Sequence, residues 1–290
     1  MPTRPHRRRK AGDPRAAKLA ALPGVEVFVG DLMVHADVAA ALAGVSRALL
    51  VSGAFSHDQF EVEAHFIEAA ARANLEVTVR VSTGSALIRP GTKGAYGRTH
   101  HGLAAFIDAS KYRVVDLCPD WFLSNFSGNA GEAKATGKIS LPVAGDGPAV
   151  TMIDPRDVGT AAAAILLQPA AGLAPFLAKR VIEVHGASKT NLQGVAAALA
   201  AAAGYPIAIN KVPRDAWAAA LQGFGVPRVF AYSFLETVEQ VDGVVPLGYE
   251  ACAKPTWCDA TSPELLAIGW RPNTLEQWAN APETKAVWAK

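Results

Sequence analysis

Cysteine is scarce here: Cys118, Cys252 and Cys258 are the only three in 290 residues. No two stand at a metal-ligand spacing, and so small a number supports no disulfide scaffold; a reducing compartment is implied. No metal site is expected, and all three read as packing residues. Apolar runs are short, and none reaches the roughly 20 residues that a membrane-spanning helix needs. Charge of one sign is sparse too. The formal net charge is +2, and the one basic run, Arg4, Arg7, Arg8, Arg9 and Lys10, lies at the N-terminus. That balance argues against nucleic acid as the main partner. A secretory signal would need an apolar stretch after the basic run, and there is none; Asp13 interrupts the run, against a transit peptide. The expected location is the cytoplasm, where the sequon Asn125-Phe126-Ser127 has no consequence. There are no internal repeats.

What is present is apolar and alternating. Half of the chain is hydrophobic, enough for one large core or two modest ones. Asp13-Pro14 opens a helix that Pro23-Gly24 ends. Short apolar runs at Val25–Val29, Arg47–Ser52, Val77–Ser82 and Arg113–Leu117 read as strands, and Val25–Val29 is expected to be a buried one. Helical periodicity separates them at Asp37–Ala43, Phe55–Ala73 and His100–Ala109. Strands apolar throughout, alternating with helices, mean parallel strands with crossover helices: an α/β, doubly wound sheet. After Pro119 comes a long loop with one weak strand, then "IDPRDVGTAAAAILLQP", a second Asp-Pro helix start. Arg180–Val184 reads as strand, Thr190 with Gln193 as a capping box, Pro206–Val212 as a weaker strand, and the rest as short helices. The expected division is a main lobe over residues 1–168 and a small, mostly helical lobe over 169–290.

Several segments carry a resemblance: "GVEVFVGDL", "VTVRVST", the His100-His101 helix, "VDLCPDWFLSNF", "DPRDVGTAAAAILL" and "TSPELLAIGWRPNTLEQWAN". In their order and spacing they resemble the NmrA-like group of atypical short-chain dehydrogenase/reductases. The resemblance implies a Rossmann-type lobe that binds NADP(H) and a C-terminal lobe that forms the substrate pocket. The group contains reductases of quinones and other small molecules, and also non-catalytic redox sensors, which act through a protein partner. A small-molecule substrate, no nucleic acid and no membrane are the expectations here.

One departure is serious. The group begins with a strand and a G-x-x-G-x-x-G turn whose backbone N–H groups hold the pyrophosphate. Nothing in the sequence matches it; Gly91, Gly94 and Gly97 are evenly spaced but do not link a strand to a helix in the required way. The expectation is therefore a Rossmann-like sheet lacking its first strand and glycine-rich turn, with NADP(H) bound weakly or not at all. In the strand order 3-2-1-4-5-6 this leaves Arg47–Ser52 with one open side. Three resolutions stand: Val25–Val29 closes against it, a partner chain fills the gap, or the sequence is a shortened form of a longer protein.

Candidate site residues follow from the resemblance and from position. Arg7, Arg8 and Arg9 stand where the group places a basic residue near the adenosine 2′-phosphate, and a basic tail is the plainer alternative. Asp31 and Leu32 match the adenine-flanking turn, though Asp31 also suits a simple turn cap. Ser52-Gly53 and Ser82-Thr83 lie at strand carboxyl ends, where open α/β sheets bind ligands. Tyr96 and His100 share the i, i+4 spacing of the Tyr-x-x-x-Lys pair of typical short-chain dehydrogenases, which would put both on one helix face. In that chemistry the tyrosine gives a proton to the reduced carbonyl. His100 is the first candidate for touching substrate or nicotinamide, His101 the second and Tyr96 the third. Ala104 and Ala105 stand where the group usually has glutamate. Pro119, Trp121, Phe122 and Asn125 match the group's "RP-x-x-F-x-x-N" segment, with Cys118 in place of arginine. They line a nicotinamide and substrate pocket or pack a lobe junction. Asp154 and Asp157 read as structural, and Trp217, Trp257, Trp270 and Trp278 as core. The function implied is NADP(H)-dependent reduction of a small carbonyl- or quinone-like substrate, with a non-catalytic sensor as the alternative.

Overall fold

Four short apolar stretches do what both-face burial demands and form one parallel sheet. The computed structural model describes residues 14–53, 56–88, 94–242 and 260–290. The strands in chain order are β1 (Arg47–Leu50), β2 (Val77–Val81), β3 (Val114–Pro119), β4 (Lys138–Leu141), β5 (Val150–Thr151), β6 (Val181–Val184), β7 (Lys189–Thr190) and β8 (Ala208–Lys211). The main sheet has the order β1-β2-β3-β6, all parallel, with Arg47 opposite Val77, Thr78 opposite Val114 and Asp116 opposite Val181. On one face it packs the helix Pro155–Leu166, through Val77, Val79, Val115, Leu117, Ile182, Ala161 and Ile165. On the other, Leu50 and Val114 meet Ile67 and Ile107 of the helices Gln59–Arg72 and Ala95–Ser110. Arg47 reaches across and donates to the carbonyls of Leu166 and Gln168, capping the Pro155–Leu166 helix where its dipole favours a cation.

A second core gathers β4 and β8, which pair in parallel, with the helices Ala130–Thr136, Leu192–Ala203 and Arg228–Val241 and the C-terminal Trp278 and Trp288. The chain crosses between the two cores several times, since β6 of the main sheet follows β4 and β5. Asn191, rather than Thr190, caps Leu192–Ala203: its side chain accepts the Gly194 N–H at 2.9 Å, while Gln193 donates to the Ala144 carbonyl.

Val25–Val29 departs from expectation. It has no regular secondary structure and joins no ladder, and Val25, Phe28 and Val29 are exposed. It therefore does not close against β1, and among the described residues no strand pairs with the outer side of β1. Leu49 and Val51 show 40% and 61% of their surface there. The physical reason is that a strand exists only where a neighbour offers a ladder, and none of the described residues pairs with this run.

Two buried ionic clusters brace the sheet. Arg80, in the middle of β2 and fully buried, donates to Glu63 of the helix Gln59–Arg72, to Asp116 of β3 at 2.8 Å and to Ser82 at 3.0 Å. Asp116 is also bound by Arg180, whose backbone sits at φ 62°. Burial works against the Arg80 cation, but the Asp116 and Glu63 carboxylates outweigh it and raise its pKa. The second cluster joins three strand ends. Asp120 accepts from Thr151 Oγ1 at 2.7 Å and lies 3.4 Å from His185 Nδ1, while His185 Nε2 faces Glu183 at 3.2 Å. Burial lowers the His185 pKa, yet its hydrogen bonds to Asp120 and Glu183 win and raise it to about 9.

Two predictions follow from these clusters. Arg80→Met leaves Glu63 buried without its cation and Asp116 with Arg180 alone, and should destabilise the chain by ~3–5 kcal/mol in denaturant unfolding; a loss below ~1 kcal/mol would show that the cluster is dispensable. His185 has a folded pKa above its ordinary 6.5, so its stabilisation is complete below pH 6.5 and is lost as pH rises through about 9. Its full size is of the order of 2–3 kcal/mol. Melting temperature measured from pH 6 to 9.5 should fall more steeply for the natural chain than for His185→Gln, and parallel curves would refute the charged histidine.

Candidate active site

The carboxyl ends of β2 and β3 open into a pocket of about 130 Å³ lined by Ser82, Thr83, Gly84, Tyr96, Pro119, Asp120, Trp121, Phe122, Asn125 and Phe234, among others. Each wall has a local cause. After β2 the small residues Ser82-Thr83-Gly84 turn the chain without filling the space. After β3 a backbone bridge between Phe122 and Ile153 and the Asp120 cluster pin the segment from Pro119 to Asn125. Tyr96 is presented by the first turn of the helix Ala95–Ser110. Gly94 lets that turn approach the helix Arg228–Val241 closely, since a Cβ there would lie 2.8 Å from Ser233 Oγ. The same hydroxyl accepts the Tyr96 N–H at 3.3 Å.

Tyr96 and His100 do share one face, with ring centroids 4.5 Å apart in an edge-on contact. Their surroundings differ. Tyr96 faces the pocket and its hydroxyl is hydrogen-bonded to Thr83. Burial raises its pKa above 10, against the opposing effects of Thr83 and Arg80, so the phenol keeps its proton. His100 lies behind it, 1% exposed. Its Nδ1 accepts from Arg80 Nη2 at 2.8 Å, and Nε2 faces the Gln59 carboxamide at 3.3 Å. Burial first, then the Arg80 charge, hold its pKa well below 6.5, so the ring is neutral. Arg80, Gln59 and Ser82 thus stand where Ala104 and Ala105 offer no partner.

The remaining candidates divide by position. Ser82, Thr83, Pro119, Phe122 and Asn125 come together around the pocket with Tyr96. Ser52 at the end of β1 donates to Glu63 at 2.6 Å and so joins the Arg80 cluster from the side. Gly53 faces open space. His101 is half-buried on the same helix and is not among the pocket-lining residues. Asp31 accepts the Met33 N–H through its own side chain, forming a turn, and Leu32 beside it is exposed; neither lines the pocket. Arg8, Arg9, Cys252, Cys258 and Trp257 lie outside the described residues. Cys118 is buried in β3, and burial, with Asp116 and Glu183 nearby, pushes its thiol pKa well up, as suits a packing residue. Asp154 caps the Pro155–Leu166 helix, and Asp157 accepts from Asn273 at 2.6 and 2.8 Å. Trp270 and Trp278 are buried core, but Trp217 lines a second, larger cavity next to the pocket.

Sequence reasoning missed Arg80, Glu63, Asp116 and the Asp120–His185 pair. One signal was available: "VTVRV" puts an arginine in a strand covered on both faces, where a charge must find partners.

These residues suit one half of a nicotinamide dinucleotide. Small residues at the ends of β1 and β2 admit a ligand closely, aromatic walls suit a flat ring, and the buried Trp121 Nε1 has no hydrogen-bond partner. The diphosphate half is not matched: among the described residues no glycine-rich turn opens a helix beside this pocket. No described helix is long and apolar enough to cross a membrane, and no described cluster of His, Cys, Asp or Glu could hold a metal ion.

Comparison with known proteins agrees with this geometry. The chain is 27% identical over 228 residues to the NAD(P)H azoreductase of Xenophilus azovorans, covering 79% of this chain and 74% of the relative. Its fold matches the NADPH-dependent quinone oxidoreductase of Escherichia coli, solved with NADPH, at TM-score 0.68 and 22% identity, over 92% of this chain and 87% of that one. It also matches NmrA, a negative transcriptional regulator solved with NADP, at TM-score 0.67 and 16% identity, over 93% and 85% of the two chains. The NAD(P)H-binding family profile matches residues 8–169, more than half of the sequence, and the chain belongs to that family.

Proposed function

We propose that this chain is an NAD(P)H-dependent reductase of a small carbonyl- or quinone-like acceptor. The observation that carries the reading is Tyr96: a protonated phenol on the pocket wall, oriented by Thr83, at the carboxyl ends of the sheet. Its likeness to an azoreductase supports the reaction class. NAD(P)H, when bound, supplies a hydride. As the acceptor takes up electrons, negative charge grows on its oxygen, and Tyr96 gives that atom a proton. The raised pKa keeps the phenol protonated at neutral pH and makes it a weak acid, so its proton moves only as negative charge builds on the acceptor oxygen. His100 is neutral beside it, so no imidazolium competes as the donor. Pro119, Phe122 and Asn125 form the wall for the flat rings and Ser82 and Thr83 the floor; Ser52 and Gly53, at the end of β1, belong on this reading to the cofactor's side outside that pocket. Asp31, Leu32, Arg8 and Arg9 belong, on this reading, to the adenosine end, and His101 stands back from the reacting atoms.

Tyr96→Phe should lower kcat for quinone and aldehyde acceptors by ~100-fold or more while leaving NADPH affinity unchanged; unchanged turnover would remove Tyr96 from the mechanism. Because no glycine-rich turn opens a helix beside the pocket among the described residues, fluorescence titration with NADPH should give a dissociation constant well above the low-micromolar range, with turnover saturating only at correspondingly high NADPH. Cofactor-dependent capture of a protein partner, with no NADPH consumption over a panel of quinones and aldehydes, would replace the enzyme reading with a sensor.

A further inference from the structure

Beside the pocket of Tyr96 lies a second cavity of about 620 Å³ that shares Trp121, Asn125 and Phe234 with it. Trp121 and Phe234 are stacked, 5.3 Å apart and 6° from parallel, and Trp217 lies 5.6 Å from Phe234. The size and the flat walls suit an aromatic ligand of two or three rings. Charge is decided by one residue. Glu132 is the only ionisable group among the described residues that line the cavity; no Lys, Arg or His is there. Its carboxylate accepts from Ser140 N at 2.9 Å and Ser140 Oγ at 2.5 Å, and that hydroxyl accepts in turn from Asn210. Those donors are neutral. They orient the carboxylate and bring no opposite charge to it. Asp120, at the inner pocket, differs because the His185 cation stands 3.4 Å behind it. An uncompensated carboxylate among aromatic faces attracts a cation twice over, by charge and by the ring quadrupoles, and repels an anion by both.

We propose that this cavity is the outer compartment of the acceptor site and that Glu132 makes it select planar aromatic compounds bearing positive charge over anionic ones. The assignment to an acceptor rests on the reductase reading of the neighbouring pocket; the charge preference stands on Glu132 and the aromatic walls alone. The chain's own net charge of +2 would favour an anion in non-specific binding, so a preference for the cation is diagnostic.

The test is calorimetric titration of the full chain, without NAD(P)H, with N-methylquinolinium and with naphthalene-2-sulfonate. The cation should bind at least ~10-fold tighter, equivalent to about 1.4 kcal/mol. Glu132→Gln should bring the two within about threefold. Ala220→Lys, a substitution at an exposed position on the cavity wall, should reverse the order and leaves the Ser140 hydrogen bonds of Glu132 in place. Equal binding of the two probes, binding of neither, or a preference that survives Glu132→Gln would overturn the proposal. Because no cofactor is present, a failed NADPH titration leaves this result standing, and a failed preference leaves the reductase reading standing.

Discussion

Arg80 lies in the middle of β2 with both faces of the sheet covered, so its charge has to be met inside the protein. The groups that meet it come from four places: Glu63 from one helix, His100 from another, Asp116 from the next strand and Ser82 from the end of its own. Satisfying one guanidinium therefore fixes the relative positions of β2, β3 and the two helices that cover them. A buried ion pair of this kind is weak evidence for net stability, because desolvation offsets most of the attraction. Its effect is on uniqueness. A slip of either helix by one turn would strand a buried charge. Tyr96, four residues before His100 and in ring contact with it, inherits that placement.

The segment from Pro119 to Asn129 carries the other half of the site. It leaves the parallel sheet at β3, bridges to Ile153 through Phe122, and enters the second core with Leu123 and Phe126. Its side chains line both cavities because it is the junction between two hydrophobic cores that cannot interpenetrate. A cavity at such a seam is expected where aromatic side chains meet at angles set by separate elements. Trp121, Phe234 and Trp217 come from three of them.

Much of the sheet was legible. The strands expected at 47–52, 77–82, 113–117 and 180–184 are β1, β2, β3 and β6 to within two residues, because parallel strands buried on both faces leave uninterrupted apolar runs. The helix at Tyr96 was harder to see, since Gly94 and Gly97 argue locally for a loop. Packing against Arg228–Val241 overrides that preference and carries the helix back to Ala95. Helix Ala130–Thr136 and one of the strands β4 and β5 were hidden in what reads as a long loop with a single weak strand; β4 and β5 pair with β8 and β7, far along the chain, and short elements of that kind have little signal of their own. Tyr96 and Asn125 could be proposed from spacing and resemblance. The buried acids could not, because Glu63 and Asp116 become partners of Arg80 only once the crossover is folded. Val25–Val29 shows the reverse failure: the run has strand composition, but a strand exists only where a neighbour offers a ladder.

The open side of β1 and the pocket of Tyr96 are separable for a geometric reason. The pocket walls come from the ends of β2 and β3 and from the helices Ala95–Ser110 and Arg228–Val241, all on the inner side of the sheet. β1 reaches the site only through Ser52, whose hydroxyl binds Glu63 and so touches the Arg80 cluster. Among the described residues nothing pairs with the edge that bears Leu49 and Val51, and such an edge is a liability for solubility. It does not reach the groups that would meet an acceptor, because Arg80 stands one strand inward and is fully neutralised there. The pocket of Tyr96 is therefore braced by charges that do not depend on what lies against β1, and the β1 edge has no comparable brace among the described residues.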